Sequence, residues 1–378
     1  MFKLLKNVEL YAPEYKGRQD ILIAFDKIAL ISQCIETSMS LQAEVKDCSD
    51  MLAFPGFIDQ HVHITGGGGE QGPKSIIDPL AAAELIKAGI TTVVGILGDD
   101  GVGKSMQGLL MKARSLDADG LTAYMYTGNY GVPTVTITGR VLTDIAIIDK
   151  VIGAGEIAIS DFRSSYPTCD ELAKLAHEAI TGGMLGKKAG VVHLHVGDGK
   201  SGLQPLLDLL EATDFPISMF VPTHLNRNKT LFEQAVLYHN RGGNIDLTAG
   251  ESTDTGIGVP DCLRRLIGTG TGLENVTVSS DGNGSGAGDS HTEVGSVMAL
   301  FNDFKTAIKD NGLPLAQVLK IVTENVARVL KLYPVKGRIA VGSDADILMV
   351  GKASFMPEML ISRGNILLEG GNVISVPN

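Results

Sequence analysis

Several things are missing from this chain of 378 residues. No apolar run approaches the ~18 residues that a membrane-crossing helix needs. No Lys- or Arg-rich stretch relieves a formal net charge of -11, which argues against nucleic acid and against an anionic membrane as partners. The opening Met1-Phe2-Lys3-Leu4-Leu5-Lys6 meets charge too soon for a secretory h-region. Only four cysteines occur, Cys34, Cys48, Cys169 and Cys262, and none forms a C-x-x-C pair, so they read as buried, reduced thiols. With 44% hydrophobic and 20% charged residues the chain is not of the disordered class. A soluble cytoplasmic protein without tandem repeats is expected.

Glycine is the residue in excess, at 46 positions. Runs such as Gly66-Gly67-Gly68-Gly69 and Gly282-Asn283-Gly284-Ser285-Gly286 follow apolar strands and suggest backbone approaching a ligand. Both ends of the chain alternate apolar and polar residues, as in Ile21-Leu22-Ile23-Ala24-Phe25 and Asp346-Ile347-Leu348-Met349-Val350, and read as short antiparallel strands. Between them a strand-then-helix rhythm repeats eight times, with strands ending at His61, Leu97, Tyr126, Ser160, His195, His224, Leu247 and Asp281. Helical stretches fall between, for instance at 80–88, 170–180, 203–210 and 231–240. The expectation is a (β/α)8 TIM barrel over 55–336 carrying a small β-sandwich domain formed from both termini, 1–54 plus 337–378. An open doubly wound sheet would share the rhythm.

Histidine is scarce, eight in all, so its placement is informative. His61 and His63 form an H-x-H at the end of the first barrel strand, where residues two apart point the same way. His195 and His224 end the fifth and sixth strands, and Asp281 the eighth. A barrel brings these ends to one rim, where barrel active sites lie. A single strand-end histidine is ordinarily a packed residue; the set together suits Zn²⁺ or a similar metal. His193 is expected to face away from His195 and to serve in packing or as outer support. His177, His239 and His291 receive no role.

The segment Pro55-Gly56-Phe57-Ile58-Asp59-Gln60-His61-Val62-His63 resembles the opening motif of the amidohydrolase superfamily, and Gly342-Ser343-Asp344-Ala345-Asp346 its C-terminal signature. Four segments, 61–70, 160–164, 222–228 and 279–285, resemble the isoaspartyl (β-aspartyl) dipeptidases. The resemblance implies two divalent metal ions, zinc being the expected metal. His61 and His63 would hold one with Asp281, and His195 and His224 the other. A hydroxide between them would attack the substrate carbonyl, and Asp281 would shuttle its proton to the leaving amine. Family members carry a carboxylated lysine bridge four residues before the serine of Ser-Asp-x-Arg; that position here is Glu156. A glutamate can also bridge two cations but is shorter by roughly three bonds. The alternative is an ordinary carboxylate and a single metal.

For the substrate, the resemblance implies Glu70 on the α-ammonium, Arg163 and Arg227 on carboxylates, Ser285 as a further donor, and Tyr130 polarising the carbonyl. Hydrolysis of β-aspartyl dipeptides by a homo-oligomeric enzyme follows. The alternative is the same machinery acting on another N-acyl amino acid or a cyclic amide. Gly98-Asp99-Asp100-Gly101-Val102-Gly103-Lys104-Ser105 also fits the phosphate-binding pattern G-x-x-x-x-G-K-[ST]. Asp99 and Asp100 would set two negative charges against a phosphate, so it reads as a rim loop whose Ser105 caps the next helix.

Overall fold

Strand-forming runs from the two ends of the chain meet in one sheet. The N-terminal run supplies β1 (Phe2–Tyr11), β2 (Tyr15–Ala24), β3 (Lys27–Ser32), β4 (Glu44–Asp47) and β5 (Met51–Pro55). This computed structural model describes residues 2–36, 42–251, 256–285 and 294–374; His291 lies outside them. The barrel strands follow as β6 (Phe57–Val62), β7 (Ile90–Gly95), β8 (Thr122–Thr127), β9 (Val151–Ile159), β10 (Val191–Val196), β11 (Phe220–Thr223), β12 (Ile245–Thr248) and β13 (Val276–Ser279). The C-terminal run adds β14 (Ile347–Gly351), β15 (Pro357–Ser362), β16 (Asn365–Glu369) and β17 (Asn372–Val373).

The terminal strands are hydrogen-bonded in the order β17-β16-β15-β14-β5-β1-β2-β3, with β4 on β1. A bridge from Lys27 to Asp344 closes this layer around an apolar core that includes Leu5, Val8, Ile21, Ile23, Ile347, Met349 and Ile361. The sandwich is therefore one continuous sheet folded on itself.

The barrel strands β6 to β11 pair in parallel, as do β12 and β13, and a parallel bridge between Val62 and Gly282 joins the last strand to the first. All their residues are buried except the half-buried Tyr124 of β8, as expected of parallel strands covered on both faces. The helices between and after them are α1 (Ala82–Lys87), α2 (Met106–Ala118), α3 (Val141–Ile147), α4 (Cys169–Gly186), α5 (Gln204–Ala212), α6 (Lys229–Asn240), α7 (Val259–Gly268), α8 (Met298–Lys309), α9 (Leu315–Lys320) and α10 (Glu324–Val329). Local chemistry sets their starts. Thr168 and Glu171 make a reciprocal capping box for α4, and Asn228 caps α6 through Leu231 N.

The cysteines depart from expectation. All four are free, but only Cys48 and Cys262 are buried; Cys34 is exposed and Cys169 half-buried. Cys34 follows the edge strand β3 and Cys169 opens α4, both places where one side of the chain faces water.

Candidate metal centre and substrate pocket

Five of the six expected ligands reach the rim by two backbone devices. His61 and His63 share one face of β6 and its end, as residues two apart must. His195 lies in β10, whereas His224 and Asp281 each sit just past their strand in the left-handed region, with φ of 62° and 50°. Ser160, past β9, does the same at φ 54°. Such non-glycine positions cost about 1–2 kcal/mol each and cluster where function over-determines the backbone.

Glu156 uses a third device. Val192 pairs with Ala154 and Leu194 with Ile157, so two residues of β9, Gly155 and Glu156, oppose the single His193 of β10. This bulge re-aims a side chain that a regular strand would place elsewhere. It brings the shorter glutamate to the ligand cluster and answers the reach problem raised by the sequence.

The six side chains converge. Glu156 Oε2 lies 3.6 Å from His61 Nε2, 3.1 Å from His195 Nδ1 and 3.8 Å from His224 Nε2; Oε1 lies 3.7 Å from His63 Nε2. Asp281 Oδ1 is 3.2 Å from His61 Nε2 and 3.1 Å from His63 Nε2. Ligand atoms of His61, His63 and Glu156 fall within 4.8 Å of one another, as do those of Glu156, His195 and His224, and of His61, His224 and Asp281. His61 Nε2, Glu156 Oε1 and Asp281 Oδ1 are buried without a hydrogen-bond partner, an arrangement that a cation would satisfy. Imidazole and carboxylate donors with unsatisfied atoms aimed at one point fit a divalent-metal centre. Glycine keeps the space open: a Cβ at Gly284 would stand 2.6 Å from Asp281 Oδ1, and one at Gly98 would stand 2.7 Å from His63 Cε1.

Electrostatics agree. Burial alone would raise Glu156 and Asp281, but the surrounding imidazoles hold both well below the usual carboxylate range. His61 would fall on burial, yet Glu156 and Asp281 push it up to about 9. His224 is pushed down to about 3 by burial and by Arg227. The cluster thus favours positive charge at its centre.

Three of the histidines have a polar partner on the nitrogen turned away from the cluster: Asp161 Oδ2 at 3.0 Å from His195 Nε2, Thr248 Oγ1 at 2.8 Å from His224 Nδ1, and His193 Nε2 at 2.7 Å from His61 Nδ1. His193 therefore does not face away from His195. Two residues apart in β10, they share the inner face by the same alternation that aligns His61 with His63. Asp161 and Thr248 had no assigned role in the sequence reading. Asp161 lies in the quoted Ser160-Asp161-Phe162-Arg163 segment, so a carboxylate two residues from an arginine was the available signal; Thr248 offered none.

Above the cluster opens a cavity of about 830 Å³ lined by, among others, Glu70, Tyr130, Arg163, Arg227 and Ser285. Glu70 Oε1 accepts a hydrogen bond from Ser285 Oγ at 2.7 Å and lies 3.6 Å from Arg163 Nη1. Arg163 grips Asp161 with Nε and Nη2 at 3.0 and 2.9 Å, and its guanidinium lies 5.0 Å from the centre of the Tyr130 ring. Tyr130 Oη is 2.9 Å from His195 Nδ1, and burial with the nearby Glu156 charge raises its pKa well above the ordinary phenol value. Arg227 Nη1 donates to Val196 O at 3.2 Å, while its Nε is buried and unpartnered. All the substrate-side residues named from the sequence thus line one cavity.

The phosphate-loop pattern is resolved by its own side chains. Asp100 Oδ1 accepts from Val102 N and Gly103 N at 3.0 and 2.6 Å, taking the amides that a phosphate would need. Lys104 Nζ donates to Gly67 O at 2.8 Å, and Ser105 caps α2 through Gly108 N at 3.1 Å. The stretch Ile145-Ala146-Ile147-Ile148-Asp149, which as a sequence could pass for the acidic strand that accompanies such a loop, instead completes α3 and its C-terminal cap at Ile148.

With this geometry in place, comparison with known proteins is specific. The amidohydrolase family profile matches residues 257–367. The structure of a β-aspartyl dipeptidase from the thermophilic, keratin-degrading Fervidobacterium islandicum AW-1 is 43% identical, covers 100% of both chains and superposes with a TM-score of 0.93. A second structure of that enzyme, in complex with the dipeptide β-Asp-Leu, is 43% identical over 100% of this chain and 99% of the other, with a TM-score of 0.94. Among curated proteins, a dihydroorotase of Elusimicrobium minutum is 32% identical over 160 residues, 42% of this chain and 34% of that protein. The match therefore spans about a third of that curated relative.

Proposed function

This chain belongs to the β-aspartyl dipeptidases of the amidohydrolase family, and from that premise we propose that it hydrolyses the isopeptide bond of β-aspartyl dipeptides. The observation that carries the reading is the convergence of His61, His63, Glu156, His195, His224 and Asp281 beneath a cavity whose wall holds Glu70, Arg163 and Arg227. The same six residues would hold two divalent ions, with Glu156, whose Oε2 faces His61, His195 and His224 and whose Oε1 faces His63, as the shared carboxylate. Imidazole and carboxylate donors favour zinc. Ions bound there would lower the pKa of a water molecule and polarise the scissile carbonyl.

The chain's own groups do the remaining work. Asp281, kept ionised by its histidine neighbours, takes the proton of the attacking water and delivers it to the leaving amine. Tyr130, kept as a phenol, donates a hydrogen bond to the oxyanion that develops as the carbonyl is attacked. Glu70 binds the α-ammonium of the aspartyl residue, with Ser285 orienting its Oε1. Arg163 and Arg227 bind the two substrate carboxylates through fork geometry. The reading also places the enzyme in the cytoplasm as a homo-oligomer, to be checked by light scattering.

The test is hydrolysis of β-Asp-Leu beside α-Asp-Leu by metal-loaded protein. Cleavage of the β isomer alone is expected. Cleavage of neither, with metal bound, would overturn the substrate and leave another N-acyl amino acid or a cyclic amide; neither cleaved and at most one ion bound would overturn the bridging role of Glu156.

A further inference from the structure

His61 presents Nε2 to Glu156 and Asp281, which leaves its Nδ1 turned into the barrel. A histidine that ligates through Nε2 keeps its proton on Nδ1, and that N–H needs a buried acceptor. His193 Nε2 stands 2.7 Å away and both rings are fully buried. Nothing else is within hydrogen-bond reach of His61 Nδ1 among the described residues. Accepting at Nε2 places the proton of His193 on its own Nδ1, which is buried with no partner among the described residues, so this imidazole is neutral.

The position of His193 is itself fixed. Its ring stacks on Tyr126, with centroids 5.1 Å apart and planes 24° apart. It stands opposite the bulge that carries Glu156, and a Cβ at Gly155 would lie 2.7 Å from its own Cβ. A carboxylate is the commoner acceptor for a ligating histidine. Here it would add a third negative charge directly beneath Glu156 and Asp281 in a water-poor interior, whereas a neutral imidazole orients His61 without that cost.

We propose that His193 is a positioning residue of the metal centre: by accepting the Nδ1 proton of His61 it fixes the tautomer and ring plane that present Nε2 to a divalent cation. The inference rests on the metal-centre reading, not on the identity of the substrate. Its test is therefore metal affinity, measured with Zn²⁺ against a chromophoric chelator and checked by the absorption spectrum of the Co²⁺-substituted protein.

Three variants separate orientation from packing. His193→Phe keeps the stack on Tyr126 and removes the acceptor; His193→Gln offers an acceptor near the Nε2 position; His193→Asn offers one that stops short of it. His193→Phe should bind one ion 10- to 100-fold more weakly and alter the Co²⁺ spectrum. His193→Gln should recover most of the affinity and His193→Asn little, with KM for β-Asp-Leu unchanged at saturating metal. Wild-type affinity in His193→Phe, or no difference between the Gln and Asn variants, would overturn the proposal, and the Gln–Asn comparison decides it if His193→Phe fails to fold. A wild-type protein that binds no Zn²⁺ would overturn the metal centre itself.

Discussion

A glutamate at position 156 changes what the centre depends on. A lysine becomes a bridging ligand only after capturing carbon dioxide, whereas the Glu156 carboxylate is present at any pH where its imidazole neighbours hold it ionised. Activity and metal content should therefore be unchanged in carbon dioxide-depleted buffer, measured side by side with a bicarbonate-supplemented sample; a loss on depletion would mean that something other than Glu156 supplies the bridge. Asp281→Asn should lower kcat by roughly 10²- to 10⁴-fold through loss of the proton carrier. Tyr130→Phe should cost roughly 10²- to 10³-fold, mostly in kcat, because its donor acts on charge that exists only in the transition state. Steady-state kinetics with β-Asp-Leu reads both. At this scale the sequence exposed most of the side chains that converge on the cluster, because histidine is rare and falls at or just past strand ends. Asp161, which holds both Arg163 and His195, gave only the weak signal of an acid two residues from an arginine, a spacing that ordinary surface pairs share.

Elements were legible where burial makes the pattern simple. Parallel strands covered on both faces read as largely apolar runs, so stretches such as Val191-Val192 and Val276-Thr277-Val278 marked β10 and β13 within a residue or two. The bulge in β9 was not legible, since it is defined by register against β10, a property of two strands together. Nor were the left-handed turns at His224 and Asp281, residues whose type does not demand that backbone. The loop before α2 shows how an element decides between two readings of one motif. Its amides are already taken by Asp100, so millimolar ATP with Mg²⁺ should leave the melting temperature unchanged; a rise of several degrees would restore the nucleotide reading. Ser105→Ala should remove the α2 cap at a cost of about 1 kcal/mol, seen as a lower urea midpoint with an unaltered slope.

Across the whole molecule, the segment that resembled a family signature turns out to join the terminal sheet to the barrel. Lys336, nearly fully buried, pairs with Asp346 at 2.5 Å and with Asp344 at 2.9 Å, and Lys27 of β3 also contacts Asp344. Asp346 Oδ1 accepts from Arg363 N, while Arg363 Nη2 donates to Asp117 O at 2.6 Å in α2. Removing one partner of a buried pair leaves the others uncompensated, so Lys336→Met should cost about 3–5 kcal/mol. The pH dependence follows from the signs. Burial would raise Asp344, but Lys336 and Lys27 outweigh it and hold it below its ordinary 3.8. Its contribution is therefore present above that value and lost as pH falls through the lowered one. Lys336 is lowered by burial but raised overall above 10.5 by Asp346 and Asp344, so its part persists throughout the neutral range and fades only at higher pH. In Lys336→Met the stranded carboxylates are costly only while ionised. The stability deficit against wild type should thus be largest at neutral pH and shrink as pH falls and Asp344, raised by burial once Lys336 is gone, takes up a proton. Urea midpoints from neutral to acid pH, taken without metal so that the catalytic cluster contributes no binding energy, measure it. A deficit that persists undiminished in acid would mean that Lys336 acts through packing of its stem and not through charge.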